Sequence, residues 1–223
     1  MTARTGALER IAAAGVTPVV ELPSLDQAAP LAEALLRGGL GVVEVTLRSD
    51  AGLSAIEMLR GAYPELLVGG GTVRTVADAA RTLDAGAEFV VSPSTNQAVI
   101  GLCLSRGIMP LPGVCTPTEI DVARAAGAEV VKFFPAEAMG GVAFLKALAG
   151  PFRDVSFVPT GGIGPSNLAD YLRLPSVVAC GGSWMVTRAL LTSGSFDQVE
   201  KLARGAMAIV ADVRARERTG ADA

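Results

Sequence analysis

Lys132 differs from the other two lysines of the chain in its surroundings. It lies within the apolar run VVKFF, whereas Lys146 and Lys201 lie among surface-type residues of helical segments. Side chains alternate between the two faces of a strand, so Val130, Lys132 and Phe134 share one face. Only a neutral amine attacks a carbonyl, and burial favours the neutral form. This position predicts a lysine nucleophile that forms a Schiff base; a structural ion pair with a carboxylate from another strand is the alternative.

A second apolar run carries a carboxylate and, beyond it, a guanidinium. Glu44 lies in VVEVT, and a partly desolvated glutamate can move protons as a general acid and base. Arg48 follows four residues later, where it could bind a substrate carboxylate through two parallel hydrogen bonds. An ion pair with the lysine is the alternative for Glu44, and a solvent-exposed rim position is the alternative for Arg48.

Apolar, β-branched runs alternate along the chain with longer Ala- and Leu-rich segments, which is typical of repeated βα units. The predicted strands cover residues 17–22, 40–46, 66–69, 87–92, 108–112, 128–135, 156–160 and 176–181. Eight units predict an α/β fold, a closed (β/α)8 TIM barrel. We expect one domain over residues 1–223 with its core over about 15–212. An open doubly wound sheet is the alternative, and the absence of a GxGxxG motif after the first strand disfavours it.

Helices are predicted between the strands and at both ends of the chain. In the first gap, SLDQAAPLAEALLRGG, we expect Ser24 as the N-cap and Gly38 or Gly39 at the C-terminal end. An extra helix over residues 5–14 is predicted to cover the bottom of the barrel. A last helix is predicted over 196–218, and the tail over 218–223 is expected to fray.

Two glycine-rich stretches follow the seventh and eighth predicted strands, PTGGIGPSN (159–167) and CGGSWM (180–185). In barrels the loops at these two positions commonly bind phosphate through backbone N–H groups and a hydroxyl. The candidate ligands are Gly161, Gly162, Gly182 and Ser183. Tight turns that need glycine are the alternative. GGGT (69–72) is less specific: Thr72 could hydrogen-bond a substrate, or the glycines could serve the turn alone.

Composition narrows the chemistry further. The chain of 223 residues has no histidine and three scattered cysteines, and its net charge is −3. This composition disfavours zinc sites and histidine-assisted nucleophiles, so we expect no metal. We also expect neither nucleic acid nor a membrane as partner. The scattered cysteines and the lack of an export signal or apolar span predict a cytoplasmic location.

The chain resembles the 2-keto-3-deoxy-6-phosphogluconate (KDPG) and 4-hydroxy-2-oxoglutarate aldolase family, which are class I, Schiff-base enzymes. The resemblance covers about residues 9–212 and rests on GGLGVVEVTLRS (38–49), VGGGTV (68–73), VVSPS (90–94), VVKFFPAEAMGG (130–141), LAGPF (148–152), VPTGGIGPSN (158–167) and GGSWMV (181–186). It implies cleavage of KDPG to pyruvate and glyceraldehyde 3-phosphate, a reaction of the Entner–Doudoroff pathway. Alternative substrates are 2-keto-3-deoxy-6-phosphogalactonate and 4-hydroxy-2-oxoglutarate. More distant alternatives are a phosphate-binding barrel isomerase or synthase, and a ligand-binding barrel without turnover.

The resemblance also implies a role for each candidate residue. Lys132 would form the Schiff base with pyruvate, and Glu44 would move the protons of dehydration and C–C cleavage. The other implied contacts are Arg48 and Thr72 with the carboxylate, Pro93 and Phe134 with pyruvate, Thr160 with the substrate hydroxyls, and Gly161, Gly162 and Ser183 with the phosphate. The resemblance further implies a reaction that needs no metal and no other cofactor, a homo-oligomer that is usually a trimer, and a 2-keto acid phosphate as substrate.

Glu21, at the end of the first predicted strand, departs from the family pattern, in which an apolar residue or an arginine is common. A second acid that pointed at a substrate carboxylate would repel it. We therefore expect Glu21 either to pair with Arg48 or to face away from the site.

Overall fold

Short parallel strands and surrounding helices form the barrel in the computed structural model, which describes residues 3–220. The strand segments are β1 Val16–Val20, β2 Val42–Thr46, β3 Leu67–Gly71, β4 Phe89–Val91, β5 Met109–Leu111, β6 Gly113–Val114, β7 Val130–Phe133, β8 Ser156–Phe157 and β9 Cys180–Gly182. They pair in the orders β5-β4-β3-β2-β1-β9 and β6-β7-β8, and the pairs are parallel. Each predicted strand overlaps an observed one, although β1, β3 and β9 extend beyond the predicted bounds and β6 follows the predicted strand over 108–112. The predicted α/β barrel is confirmed.

Two proline-containing stretches join the sheets into a closed barrel. Pro112 separates β5 from β6, and its carbonyl accepts a hydrogen bond from the Lys132 N–H at 2.8 Å. On the other side, the segment that begins with β8 pairs with the segment that ends with β9. The two isolated parallel bridges there join Phe157 to Val177 and Thr160 to Gly181. The ring of strands thus continues through both stretches, although proline interrupts the regular ladder because it has no N–H to donate.

Helices surround the strands. They are α1 Ala3–Ala14, α2 Ala28–Arg37, α3 Gly52–Ala62, α4 Val76–Asp84, α5 Gln97–Ser105, α6 Pro117–Ala125, α7 Gly141–Ala149, α8 Leu168–Leu172, α9 Arg188–Thr192 and α10 Phe196–Thr219. The predicted first and last helices correspond to α1 and α10. Helix α10 continues through Thr219, so residues 218 and 219 of the tail that was expected to fray are helical; residues 221–223 lie outside the described residues.

The start of α2 differs from the prediction. Ser24 precedes a 3-10 turn, Leu25–Gln27, and its hydroxyl makes no capping hydrogen bond. Its backbone carbonyl accepts from the Gln27 N–H instead, at 3.4 Å, and α2 begins at Ala28. The prediction of Ser24 as the N-cap of this helix is therefore wrong, because an extra turn separates the two. At the other end Gly39 adopts φ +87°, the left-handed conformation expected of a glycine after a helix.

Helix α1 closes the bottom of the barrel, as predicted. Its Ala7 and Ile11 are buried against inward-facing strand residues. That cluster includes Val42, Leu67, Phe89, Met109, Val130, Val158 and Ala179. Because the lower end is filled with apolar side chains, the polar strand residues are left at the opposite, C-terminal end.

Candidate active site

A cavity opens at the C-terminal ends of the strands. With the open solvent at its mouth included, it encloses about 640 Å³ of space between protein atoms. All eleven predicted site residues line it: Glu44, Arg48, Thr72, Pro93, Lys132, Phe134, Thr160, Gly161, Gly162, Gly182 and Ser183. Four further residues line the cavity that are not among the predicted site residues: Val19, Thr46, Ile163 and Gly181. Strand alternation gives a signal for Thr46, because it lies two residues from Glu44 on the same face.

Lys132 on β7 and Glu44 on β2 form the most buried polar pair of the cavity. The lysine Nζ lies 3.3 Å from Glu44 Oε1, and the two residues are 6% and 3% exposed. The same Nζ lies 5.3 Å from the centre of the Phe134 ring, a distance at which an ammonium is attracted to the ring face. The ion pair that was the structural alternative is therefore present. Because the pair lines an open cavity, the amine can still meet a carbonyl with an acid–base group beside it.

A glycine on the neighbouring strand leaves room for the Glu44 carboxylate. Gly71 of β3 pairs with Thr46 of β2, and a Cβ built at Gly71 would lie 2.3 Å from Glu44 Oε1. That separation is well inside van der Waals contact, so any larger residue at position 71 would require the Glu44 side chain or the strand to shift.

Arg48 lies at the rim of the cavity with its Nε held from two sides. Nε is 3.2 Å from Glu21 Oε2 and donates to Thr46 Oγ1 at 3.3 Å. The Thr46 hydroxyl donates in turn to the Val20 carbonyl at 2.9 Å. The expected pairing of Glu21 with Arg48 is therefore confirmed.

Thr72 adopts a conformation that is unusual for its residue type. Its φ is +60°, in the left-handed region that a β-branched residue rarely occupies. The hydrogen bonds from Leu47 N–H to the Gly71 carbonyl, 2.9 Å, and from Val73 N–H to the Val91 carbonyl, 3.1 Å, fix the chain on both sides. Backbone strain of this kind concentrates at binding and catalytic sites, which agrees with the position of Thr72 in the cavity wall.

The loop after β8 presents backbone donors to the cavity. Gly161 and Gly162 have φ values of +103° and +79°. Their carbonyls accept hydrogen bonds from Glu137 N–H, 3.0 Å, and from Asn167 Nδ2, 3.2 Å. Within residues 3–220, neither glycine N–H donates a hydrogen bond. Consecutive amides that are free in this way can bind the oxygens of an anion.

The end of β9 brings the second glycine-rich stretch beside the first. The bridge between Thr160 and Gly181 joins the two segments, and a Cβ at Gly181 would lie 2.3 Å from Thr160 Oγ1. Gly182 and Ser183 follow directly and line the same cavity. The two predicted halves of a phosphate site therefore lie side by side.

Across residues 3–220, no cluster of three or more His, Cys, Asp or Glu side chains could hold a metal ion. Cys103 and Cys180 are buried, and burial raises the pKa of the Cys103 thiol to about 11. Among the described helices, none is both long and apolar enough to cross a membrane.

The chain is similar to known aldolases in sequence. The family model "Aldolase: KDPG and KHG aldolase" matches residues 8–202. The 2-dehydro-3-deoxy-phosphogluconate aldolase of Treponema pallidum is 47% identical over 92% of this chain and 96% of its own length. The KHG/KDPG aldolase of Escherichia coli K12 is 42% identical, with the same two coverages.

A solved structure also matches closely. The KDPG aldolase of Legionella pneumophila, with pyruvate captured at low pH as a covalent carbinolamine intermediate, superposes with a TM-score of 0.87. Its sequence is 38% identical, and the match covers 90% of this chain and 97% of that chain.

Proposed function

Because the chain belongs to the KDPG and KHG aldolase family, we propose that it is a class I aldolase that cleaves 2-keto-3-deoxy-6-phosphogluconate to pyruvate and glyceraldehyde 3-phosphate. The observation that carries this proposal is the contact of 3.3 Å between the amine of Lys132 and the carboxylate of Glu44 in the wall of the cavity. Amine nucleophile and proton carrier are the two groups that Schiff-base cleavage requires.

The reaction begins at the keto carbon of the substrate. The neutral amine of Lys132 adds to C2 and forms a carbinolamine, which loses water to give an iminium. Glu44 donates the proton that leaves with the hydroxyl group. The positive nitrogen then serves as an electron acceptor for the next step, so the protein's own lysine supplies what a cofactor would otherwise supply.

Cleavage uses the same two residues. Glu44, now a carboxylate, accepts the proton of the C4 hydroxyl, and the C3–C4 electron pair moves into the iminium. Glyceraldehyde 3-phosphate leaves, and the enamine of pyruvate remains on Lys132. Glu44 returns the proton to C3, and water hydrolyses the resulting iminium to release pyruvate.

The remaining lining residues hold the substrate at its two ends. Arg48 and Thr72 bind the carboxylate, because a guanidinium and a hydroxyl are matched donors for it. Pro93 and Phe134 contact the pyruvate portion and Thr160 contacts a substrate hydroxyl. Gly161, Gly162, Gly182 and Ser183 bind the phosphate through N–H and hydroxyl groups, which is supported by the free glycine amides.

The proposal extends to substrate range, assembly and location. The E. coli relative is named a KHG/KDPG aldolase, which favours 4-hydroxy-2-oxoglutarate as a second substrate. The reaction needs no metal and no other cofactor. A homotrimer in the cytoplasm follows from the family resemblance, and light scattering of the purified protein tests the assembly against the 22.7 kDa chain mass.

Borohydride trapping tests the proposed function. Hydride converts the transient imine into a stable secondary amine, so reduction in the presence of pyruvate is expected to add a pyruvyl group to the peptide that contains Lys132. Lys132→Ala is expected to abolish the mass increment, and Lys146→Ala, which changes a lysine of the outer helix α7, is expected to retain it. An unlabelled Lys132 in folded wild-type protein would overturn the aldolase assignment.

A further inference from the structure

Glu21 lies between two arginines at the rim of the cavity. Its Oε2 is 3.2 Å from Arg48 Nε, and its Oε1 accepts a hydrogen bond from Arg188 at 3.2 Å. The Glu21 side chain is 29% exposed, less than those of Arg48 and Arg188, at 50% and 71%. Each oxygen of the Glu21 carboxylate therefore contacts one arginine. Glu21, which directly follows β1, is less exposed than Arg48 and Arg188.

The contacts of Arg48 leave one edge of its guanidinium for a ligand. Nε is engaged by Glu21 and Thr46. Over the described residues, the terminal nitrogens of Arg48 make no hydrogen bond. These are the two groups that can bind a carboxylate with parallel hydrogen bonds.

We propose that Glu21 is a positioning residue for the 2-keto acid carboxylate: it holds Arg48 through Nε so that the terminal N–H groups face the substrate. This inference rests on the proposed function. Glu21 is absent from the described residues that line the cavity, whereas Arg48 is among them, so Glu21 acts through Arg48. An arginine side chain has many rotamers, and fixing one of them before binding reduces the entropy lost on binding.

The negative charge of Glu21 also has an unfavourable effect on binding of the substrate carboxylate. A carboxylate behind Arg48 repels the carboxylate of the substrate. Arg188 offsets that repulsion because it pairs with the other oxygen, so the three side chains together carry one net positive charge. Orientation and repulsion predict opposite effects of removing Glu21, which makes the proposal testable.

The test uses the condensation direction, in which pyruvate and glyceraldehyde 3-phosphate bind as separate substrates. Glu21→Ala is expected to raise the KM for pyruvate about three- to tenfold, because Arg48 loses the ion pair that restricts its rotamers. The KM for glyceraldehyde 3-phosphate and kcat are expected to stay within about twofold, because the phosphate site and Lys132 are untouched. Glu21→Gln keeps the size of the side chain and an oxygen beside Arg48, and is expected to restore part of the pyruvate affinity.

Glu200 offers a matched control. It also lies between two arginines, 2.8 Å from Arg37 Nε and 2.6 Å from Arg204, and its side chain is 23% exposed. This second trio joins α10 to α2, away from the cavity. Glu200→Ala removes the same kind of ion pairs and is expected to leave both KM values unchanged.

Other results for the KM values or for the labelling of Lys132 would overturn either the role of Glu21 or the aldolase assignment. A lower KM for pyruvate in Glu21→Ala would show that repulsion dominates, and equal rises in both KM values would show a general structural role; either result overturns the proposal. Normal pyruvyl labelling of wild-type Lys132 with an unchanged pyruvate KM in Glu21→Ala overturns the role of Glu21 alone. No labelling of wild-type Lys132 overturns the aldolase assignment first.

Discussion

The carboxylate of Glu44 on β2 contacts the amine of Lys132 on β7 at 3.3 Å, although 88 positions separate the two residues in the chain. Closure of the barrel brings the two strands' inward faces together across its interior. Both side chains are nearly inaccessible to bulk water but line the cavity. This arrangement places a proton carrier directly beside the nucleophile.

The first prediction concerns proton transfer by Glu44. Glu44→Gln keeps the size of the side chain but removes the group that exchanges protons, so kcat is expected to fall about 10²–10⁴-fold. Borohydride with pyruvate is still expected to label Lys132, more slowly, because the amine remains. The matched control is Glu88→Gln, which alters a carboxylate paired with Arg60 outside the cavity. An unchanged kcat in Glu44→Gln would assign proton transfer to another group.

The second prediction concerns the space that Gly71 leaves for Glu44. A methyl group at this position would lie 2.3 Å from Glu44 Oε1, so Gly71→Ala is expected to displace the carboxylate and lower kcat by at least about tenfold. Gly101→Ala is the control, because no atom lies within 4 Å of a Cβ at that position in α5. Steady-state rates and urea unfolding separate a catalytic effect from loss of the fold. Full activity of Gly71→Ala would contradict the tight contact.

Much of the barrel could be predicted because apolar runs along the sequence indicate its strands. Eight of the nine observed strands overlap a predicted apolar run, and β6, Gly113–Val114, directly follows the predicted run over 108–112. In a (β/α)8 barrel the carboxyl ends of the strands surround one site. Prolines shorten the observed strands: Pro112 divides β5 from β6, and Pro159 ends the regular ladder of β8 before Thr160 pairs again. The apolar runs thus indicate where the strands lie. The regular hydrogen bonding between strands also depends on which residues have a backbone N–H to donate.

Other features depend on contacts that are distant in the sequence. Arg188 pairs with Glu21 across 167 positions, and no local pattern indicates this contact. The positive φ of Thr72 depends on neighbouring segments that hold its backbone, whereas residue type alone predicts an extended conformation. Ser24 has the residue type of an N-cap, but an intervening 3-10 turn separates it from α2.

The third prediction separates strain from binding at Thr72. Thr72→Gly removes the Cβ from a left-handed backbone and is expected to raise the free energy of unfolding by about 1 kcal/mol. The same variant loses the hydroxyl, so the KM for pyruvate is expected to rise several-fold. Thr72→Ala is expected to lose affinity without gaining stability, and Thr72→Ser to retain affinity. Unfolding in urea and condensation kinetics measure the two effects; unchanged affinity in Thr72→Ala would exclude a binding role for the hydroxyl.

The fourth prediction concerns pH and the start of α6. Glu119 accepts hydrogen bonds from Cys115 N–H, 2.7 Å, and Thr116 N–H, 2.9 Å. Burial raises the pKa of Glu119, but the hydrogen bonds from Cys115 and Thr116 lower it by more, so the net shift is downward. A carboxyl with a lowered folded pKa stabilises the fold above its unfolded pKa, and this contribution is lost as the pH falls through the folded pKa.

Glu119→Gln is therefore expected to lower the free energy of unfolding at pH 7 and to differ less from wild type at an acidic pH below the lowered folded pKa, where the wild-type carboxyl is also neutral. Urea unfolding at both pH values measures the difference. Glu57→Gln, on the exposed face of α3, controls for the loss of one carboxylate elsewhere. A difference that stays constant between the two pH values would contradict the role of the charge.

The fifth prediction tests whether the glycine loops bind a phosphate. Gly162 has φ +79°, and a Cβ there would lie 2.6 Å from the Glu137 side chain, so Gly162→Ala is expected to distort the loop. Gly164→Ala is a control in the same loop, because no atom lies within 4 Å of a Cβ at that position and its φ is not positive.

For the phosphorylated substrate, kcat/KM is expected to fall at least about tenfold in Gly162→Ala, the loss of about one charged hydrogen bond. For 4-hydroxy-2-oxoglutarate, which has no phosphate, it is expected to stay within about twofold, because Lys132, Glu44 and Arg48 are unchanged. Ser183→Ala, which removes a hydroxyl from the second glycine-rich stretch, is expected to show the same selectivity. Equal losses on both substrates would mean that the loops support the barrel rather than the phosphate, and that the anion binds elsewhere in the cavity.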